Sequence, residues 1–199
     1  MSSNYAKAET LFGAVAAPLD WTRSALVVVG FSLLTALAAQ AVVPLPFTPV
    51  PLTGQTFAVL LTGALLGSRL GALALLAYLA EGAAGLPFFQ GGTGGPAPLF
   101  GPTAGYLFAF PAAAFVTGYL AERGWDRRYL PAAAAMALGS LVILAGGWAW
   151  LAVFLRGGAE AFRLGVAPFL AGDLLKIALA AAALPAGWAL LRRRGPGAV

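Results

Sequence analysis

The sequence predicts an all-α membrane protein with six transmembrane helices and both termini in the cytoplasm. Three observations carry this prediction. Of the 199 residues, 60% are hydrophobic and only 10% are charged, whereas soluble domains carry about a quarter charged residues. Six apolar segments alternate with loops that are rich in glycine, proline or arginine. When those segments cross the bilayer in turn, most of the basic residues fall on one side of it.

The six segments follow from hydropathy, because a membrane-spanning helix needs about 20 mostly apolar residues. They are 25–43, 53–67, 70–84, 103–121, 130–155 and 166–191. The second and third are short and meet at 67–69, which predicts a tight helical hairpin. We expect a single transmembrane domain over 1–199, with a cytoplasmic N-terminal segment 1–23 and a basic cytoplasmic tail 192–199.

The distribution of Lys and Arg sets the orientation. With the N-terminus inside, nine of the 12 basic residues lie on the cytoplasmic side, while Arg156 and Arg163 lie outside and Lys176 lies within a segment. The net charge of +5 therefore indicates orientation in a bilayer and not binding to nucleic acid. Three loops then face outward: a proline-rich loop (43–52), a glycine-rich loop (85–100) and a short charged loop (156–165).

Several kinds of chemistry are excluded by composition. The chain has no Cys and no His, which removes disulfides, Cys/His metal sites, His general bases and Cys nucleophiles. The glycine-rich loop is not a phosphate-binding loop, since no Lys or Arg occurs between Arg69 and Arg123. Its glycines instead allow close approach of the backbone to a ligand. We therefore expect no cofactor, no metal and no enzymatic activity.

Asp173 and Lys176 are the ionisable pair of the sixth segment, in the sequence "AGDLLKIALA". Their i,i+3 spacing places both on one helix face, with Lys176 near the middle of the segment. Ionisable residues at that depth are costly and favour a functional site. The pair is therefore either a mutually neutralised structural pair or part of a polar cavity that binds an anionic or hydrogen-bonding solute.

The glycine-rich loop and its flanks supply further candidate binding residues. Gln90 offers a hydrogen-bonding amide next to Phe89, and Thr103 begins a helix in which Tyr106 presents a flat face. The phenylalanine is either a pocket wall or an interfacial anchor. Glu81, at the outer end of the third segment, is either a site residue or an ordinary interfacial acid.

Four stretches together resemble the BioY family, the biotin-binding S components of energy-coupling-factor (ECF) transporters. They are "AQAVVPLPFTPVPLTGQTF", "LLGSRLG", "GLPFFQGGTGGPAPLFGPTAGYLFAFPAAA" and "GDLLKIALA". The resemblance covers about 32–180. It implies an S-component bundle of six helices in the cell membrane, with a vitamin pocket near the outer face that is closed by loops.

The resemblance also implies roles for individual residues and partners. Asp173 and Lys176 match the residues that help to bind biotin in the family, and the loop 85–106 matches the one that shapes the pocket. Ser32 and Ala36 best match the small-residue surface that docks onto the transmembrane coupling subunit. Two ATPase subunits are expected to hydrolyse ATP. Biotin is then captured outside and delivered inward as the subunit reorients.

The chemistry of the residues agrees with biotin, which carries a carboxylate, a ureido ring and an apolar thioether ring. Lys176 would neutralise the carboxylate, and Asp173 would accept ureido N–H bonds or orient the lysine. Gln90 is the ureido partner that chemistry favours. Three alternatives stay open at this point: an S component for another vitamin, an intramembrane enzyme, and a channel or solitary transporter.

Overall fold

A computed structural model gives the structure of residues 10–16 and 20–193. Its α-helices in chain order are α1 (Leu11–Val15), α2 (Trp21–Ala38), α3 (Gln55–Leu66), α4 (Ser68–Ala83), α5 (Ala104–Glu122), α6 (Tyr129–Phe154), α7 (Gly158–Gly165) and α8 (Leu170–Arg193). A two-stranded antiparallel ribbon, β1 (Val42–Val43) and β2 (Leu52–Thr53), joins α2 to α3. The protein is therefore mostly helical, as the sequence predicts.

Within residues 10–16 and 20–193, four helical stretches are long and apolar enough to cross a membrane, by length and composition. They are Trp21–Ala38, Ala104–Glu122, Tyr129–Phe154 and the combined stretch Gly158–Arg193. The second and third predicted segments form α3 and α4, which have 12 and 16 residues, fewer than the about 20 that a perpendicular span needs.

The first predicted segment, 25–43, is displaced in the structure. The helix α2 already begins at Trp21, because the Asp20 carboxylate accepts a hydrogen bond from the Arg23 backbone N–H at 2.8 Å and caps the first turn. It ends at Ala38, because the chain then enters the ribbon. The expected N-terminal segment 1–23 thus contains α1 and the start of α2, while its residues 1–9 and 17–19 lie outside the described residues.

The sixth predicted segment, 166–191, is also corrected. Residues 166–169 form a separate turn that contains Pro168, and α8 begins only at Leu170. Lys176 therefore lies in the second turn of α8. At the other end, α8 includes the first two residues of the expected tail, and 194–199 lie outside the described residues.

The predicted hairpin is formed by α3 and α4, which are joined by Gly67 alone. Because the first N–H groups of a helix lack partners within it, the start of α4 needs an acceptor. Glu122, the last residue of α5, supplies it: its Oε1 accepts hydrogen bonds from the backbone N–H and the hydroxyl of Ser68, at 2.6 and 2.9 Å. The hairpin is thereby fastened to the end of α5.

The bundle is organised around α5, the most buried of the long helices. It packs against α3, α4 and α6, while α2 lies on α4 and α8 on α6. The contact with α3 is close because Gly63 has no side chain: a Cβ there would overlap the backbone of Ala114 and the hydroxyl of Thr117. Small residues allow helices in a membrane to pack by direct backbone approach.

Candidate ligand-binding cavity

A cavity lies among the first turns of α3, α5 and α8, which all begin at the same end of the bundle. The empty space inside it is about 590 Å³, including open solvent at the mouth. The ribbon, the glycine-rich loop and the middle of α6 complete its walls. The lining residues are Val50, Pro51, Thr53, Gln55, Thr56, Phe89, Gln90, Pro98, Thr103, Tyr106, Leu107, Phe110, Ile143, Leu144, Phe169, Asp173 and Lys176.

The cavity has one cationic and one acidic side chain, and the two form a salt bridge. Lys176 Nζ lies 3.6 Å from Asp173 Oδ1, and the side chains are 15% and 11% exposed. Asp173 sits in the first turn of α8, where the helix dipole stabilises a negative charge. The remaining lining is apolar or carries neutral polar groups, so the pair dominates the electrostatics of the cavity.

Both members of the pair also bind neutral groups on neighbouring helices and on β2. The Lys176 ammonium donates to the Thr53 carbonyl at 3.0 Å and to the Thr56 hydroxyl at 2.6 Å. The Asp173 carboxylate accepts a hydrogen bond from the Ser140 hydroxyl of α6 at 2.5 Å. The pair thereby fixes α8 against the start of α3 and the middle of α6.

Phe89 forms an apolar wall of the cavity and is 1% exposed. Its ring packs edge-on against Tyr78, with ring centroids 5.6 Å apart. The Tyr78 hydroxyl in turn accepts a hydrogen bond from the Gln55 amide at 2.5 Å and donates to the Phe88 carbonyl at 3.1 Å. Tyr78 therefore contacts both the Phe89 ring and the Gln55 amide, and it holds these two side chains next to each other in the cavity wall.

The glycine-rich loop is fastened on its other side by Gln40. The Gln40 amide at the end of α2 donates to the Phe89 carbonyl at 3.4 Å, and the Phe89 N–H donates to the Thr93 carbonyl at 2.9 Å. Gln90 follows directly and lines the cavity. It also borders a second groove beneath the proline-rich loop, so it stands at the boundary between cavity and surface.

Tyr106 presents its ring to the cavity but not a free hydroxyl. That hydroxyl donates to the Gly165 carbonyl, the last residue of α7, at 2.6 Å. A second bond reaches α7 from the proline-rich loop, where the Thr48 hydroxyl donates to the Leu164 carbonyl at 2.7 Å. Thr103 precedes α5 as its cap residue and also lines the cavity.

The structure thus brings together six of the seven predicted ligand-binding residues and leaves out Glu81. Its carboxylate turns away from the cavity, because it accepts a hydrogen bond from the Ser32 hydroxyl of α2. Ser32 and Ala36 are 0% and 6% exposed, since this face of α2 packs on α4. The two side chains expected to dock a partner therefore point into this protein.

Sequence reasoning missed the neutral groups that position the charged pair. Ser140 lies in no motif, and Thr53 and Thr56 lie in the proline-rich stretch of the family resemblance without being candidates themselves; their contacts join residues that are 33 to 123 positions apart. The available signal was chemical: a lysine and an aspartate in an apolar bundle need several hydrogen-bond partners, and hydroxyl-bearing residues near helix starts are the groups that supply them.

Chemically, the cavity can hold a small amphiphilic molecule with one anionic group. Lys176 supplies a positive charge, and Asp173, Gln55 and Gln90 supply acceptors and donors, while Phe89 and its aromatic neighbours cover apolar surface. Such a combination of apolar walls with a few polar groups is typical of ligand sites that fix an orientation.

A family model described as the BioY family matches residues 6–193. A probable biotin transporter BioY of Pyrococcus horikoshii is 46% identical over 150 residues, which are 75% of this chain and 86% of that protein. The biotin transporter BioY of Rhizobium etli is 38% identical over 173 residues, covering 82% and 92% of the two chains. That of Thermotoga maritima is 39% identical over 158 residues, covering 79% and 86%.

The fold is also similar to a solved structure. The S-component for biotin from an ECF-type ABC transporter superposes with a TM-score of 0.75 over 88% of this chain and 93% of that chain. The sequence identity is 23%, so this likeness speaks for the bundle architecture and not for individual residues.

Proposed function

The chain belongs to the BioY family, and from this premise we propose that it is the biotin-binding membrane subunit of an ECF-type transporter. The relatives that span most of its length are named as biotin transporters. The chain is an integral multi-pass membrane protein, and transport by this family is not an enzymatic activity. ATP hydrolysis is assigned to partner subunits.

The observation that carries the proposal is the single Lys–Asp pair in a cavity that is otherwise apolar or neutral. Biotin has one carboxylate, a ureido ring with donors and an acceptor, and an apolar thioether ring. A cavity with one ammonium group, a carboxylate, two amides and an aromatic wall offers a partner for each of these parts.

In the bound state, Lys176 neutralises the biotin carboxylate, which replaces one of its present neutral partners. Asp173 keeps the lysine in position and accepts an N–H bond from the ligand. Gln90 meets the ureido oxygen or N–H groups from the glycine-rich loop. Phe89 and the ring of Tyr106 cover the thioether ring.

In this proposal the chain crosses the membrane six times, with both termini in the cytoplasm and the cavity near the outer face. The helices α3 and α4 are then short spans, of about 18 and 24 Å at a rise of 1.5 Å per residue. Their ends are covered by the ribbon and the loops. The excess of arginine at the end opposite the cavity supports this orientation.

The partners in this proposal are a transmembrane coupling subunit and two ATPase subunits. The face of α2 that is open to them carries Leu26, Gly30, Leu33 and Leu37, which recur every three or four residues; the three leucines are 68%, 44% and 71% exposed. Gly30 has open space around it. Docking through α2 would use this face, because Ser32 and Ala36 are already packed on α4.

Equilibrium binding of labelled biotin to the purified protein in detergent tests the proposal. We expect saturable binding that excess unlabelled biotin abolishes, and that thiamine or riboflavin at the same excess does not. A folded protein without saturable biotin binding would refute the biotin assignment. Copurification from the native membrane should recover an ATPase and a coupling subunit, and uptake by proteoliposomes with this chain alone would contradict dependence on partners.

A further inference from the structure

A second large cavity lies at the end of the bundle opposite the ligand cavity. It is formed by the end of α5, the turn Trp125–Arg127, the start of α6 and the end of α8. Its open volume is about 1440 Å³, counting the mouth. Four of its lining residues are arginines: Arg123, Arg127 and Arg128 from the connection between α5 and α6, and Arg192 from the end of α8.

The carboxylates beside this cavity have hydrogen-bond partners outside it, and the charge of Asp126 also interacts with Arg127. Glu122 caps α4 through Ser68, and Asp126, which is 1% exposed, accepts a hydrogen bond from the Trp188 indole at 2.6 Å. Among the described residues, no carboxylate lies within ion-pair distance of Arg123, Arg128 or Arg192. The cavity therefore carries an excess of positive charge.

Aromatic contacts hold part of this cluster in place. The Arg123 guanidinium lies 3.3 Å from the centroid of the Tyr119 ring and donates to the Tyr119 carbonyl at 3.2 Å. Arg127 lies over the Trp188 ring at 4.6 Å. Guanidinium groups fixed in this way are oriented before a ligand arrives, which lowers the entropic cost of binding one.

Below the arginines the cavity wall is apolar and continues onto the outer surface of α6. Trp125, Leu130, Pro131 and Ala134 line it, and Leu130 is 76% exposed. Trp125 and the neighbouring Tyr129 are residue types that favour the membrane–water interface. A ligand that fits both parts has an anionic head and a hydrocarbon chain attached to it.

We propose that this cavity binds the headgroup phosphate of an anionic phospholipid. Planar guanidinium groups bind phosphate oxygens in pairs, and basic pockets between transmembrane helices are a known setting for acidic headgroups. The acyl chain lies along Leu130 and Ala134 while the arginines surround the phosphate. This site is separate from the ligand cavity, because the two occupy opposite ends of α5 and α8 and share no lining residue.

Titration of the full-length protein with phosphatidylglycerol or phosphatidylcholine, followed by native mass spectrometry, tests the proposal. The double variant Arg128→Gln/Arg192→Gln removes two lining charges. The matched control Arg69→Gln/Arg193→Gln removes two charges that are exposed at the same end of the bundle but outside the cavity lining. We expect phosphatidylglycerol to bind about 30-fold more weakly to the first variant and less than about threefold more weakly to the control.

The other outcomes overturn the assignment. Equal weakening in both variants would mean that overall charge attracts the lipid without a defined site. Inorganic phosphate or glycerol 3-phosphate that binds as tightly as phosphatidylglycerol would identify a soluble anion as the ligand. If the double variant fails to fold, the single variant Arg128→Gln replaces it in the same comparison. In either case, a wild-type protein that does not prefer phosphatidylglycerol over phosphatidylcholine refutes the proposal.

Discussion

Replacing Lys176 by Met tests whether this ammonium group recognises the carboxylate of the ligand. The substitution keeps an apolar chain of similar length and removes the charge that lies 3.6 Å from Asp173. A hydrogen bond to a charged group is worth about 1.5–3 kcal/mol, so biotin should bind about 10- to 150-fold more weakly. The loss lies at the upper end if the cavity excludes water when the ligand is bound.

The assay compares biotin with its methyl ester, which lacks the negative charge, by equilibrium binding in the same detergent. The wild-type protein should prefer biotin, and Lys176→Met should bind the two compounds with similar affinity. Because the variant leaves Asp173 without its cation, Lys176→Met/Asp173→Asn is measured beside it as a check on folding. The double variant should unfold at a higher temperature than the single one, since no unpaired buried charge remains.

The reasoning would be refuted if Lys176→Met lost the same factor for biotin and for the ester while remaining folded. Such a result would mean that the lysine supports the cavity structurally through Thr53 and Thr56. An unchanged preference for biotin over the ester would move carboxylate recognition to another group.

Three further predictions concern neighbouring parts of the molecule. A Cβ at Gly82 would overlap the Phe89 ring, so Gly82→Ala should weaken biotin binding at least about tenfold, while Gly30→Ala, with open space around it, should not. Glu122→Ala should lower the unfolding free energy by about 1–3 kcal/mol, measured as a lower thermal midpoint. An unchanged midpoint would mean that the hydrogen bonds from Ser68 to Glu122 do not stabilise the start of α4. Burial raises the pKa of the Asp126 carboxyl from 3.8 to about 6, so the native state holds a proton that the unfolded state releases. Stability should fall by up to about 3 kcal/mol between pH 4 and pH 6, and Asp126→Asn should abolish this slope in thermal melts; the same slope in both proteins would contradict the assignment.

Hydropathy predicted the helices well because the bilayer requirement acts on composition alone. The helix boundaries were less predictable where local chemistry decides them. The ribbon of Val42–Val43 with Leu52–Thr53 was missed because its strands have two residues each, too few for a periodic pattern. The helix α7 was missed because it is short and carries Glu160 and Arg163, so it was assigned to a charged loop.

The site was predictable where a residue is unusual for its setting. Asp173 and Lys176 are ionisable groups in an apolar segment, and Gln90 is a lone amide in a glycine-rich loop. Glu81 is also an ionisable group in an apolar segment, but it lies outside the cavity and accepts a hydrogen bond from Ser32 of α2. Because Ser32 is 49 positions away in the chain, local sequence patterns did not predict this contact. Sequence spacing reports which residues share a helix face, but not which neighbouring helix that face meets.

The hydrogen bonds of Lys176 have a consequence for the thermodynamics of recognition. An ammonium group has three donors, and the lysine directs bonds to Thr53 and Thr56 and lies beside Asp173. An incoming carboxylate must therefore exchange with a partner that is already present. The binding free energy therefore gains only the difference between the bond from Lys176 to the ligand and the bond that it replaces. This contact discriminates between charged and uncharged ligands more than it raises total affinity.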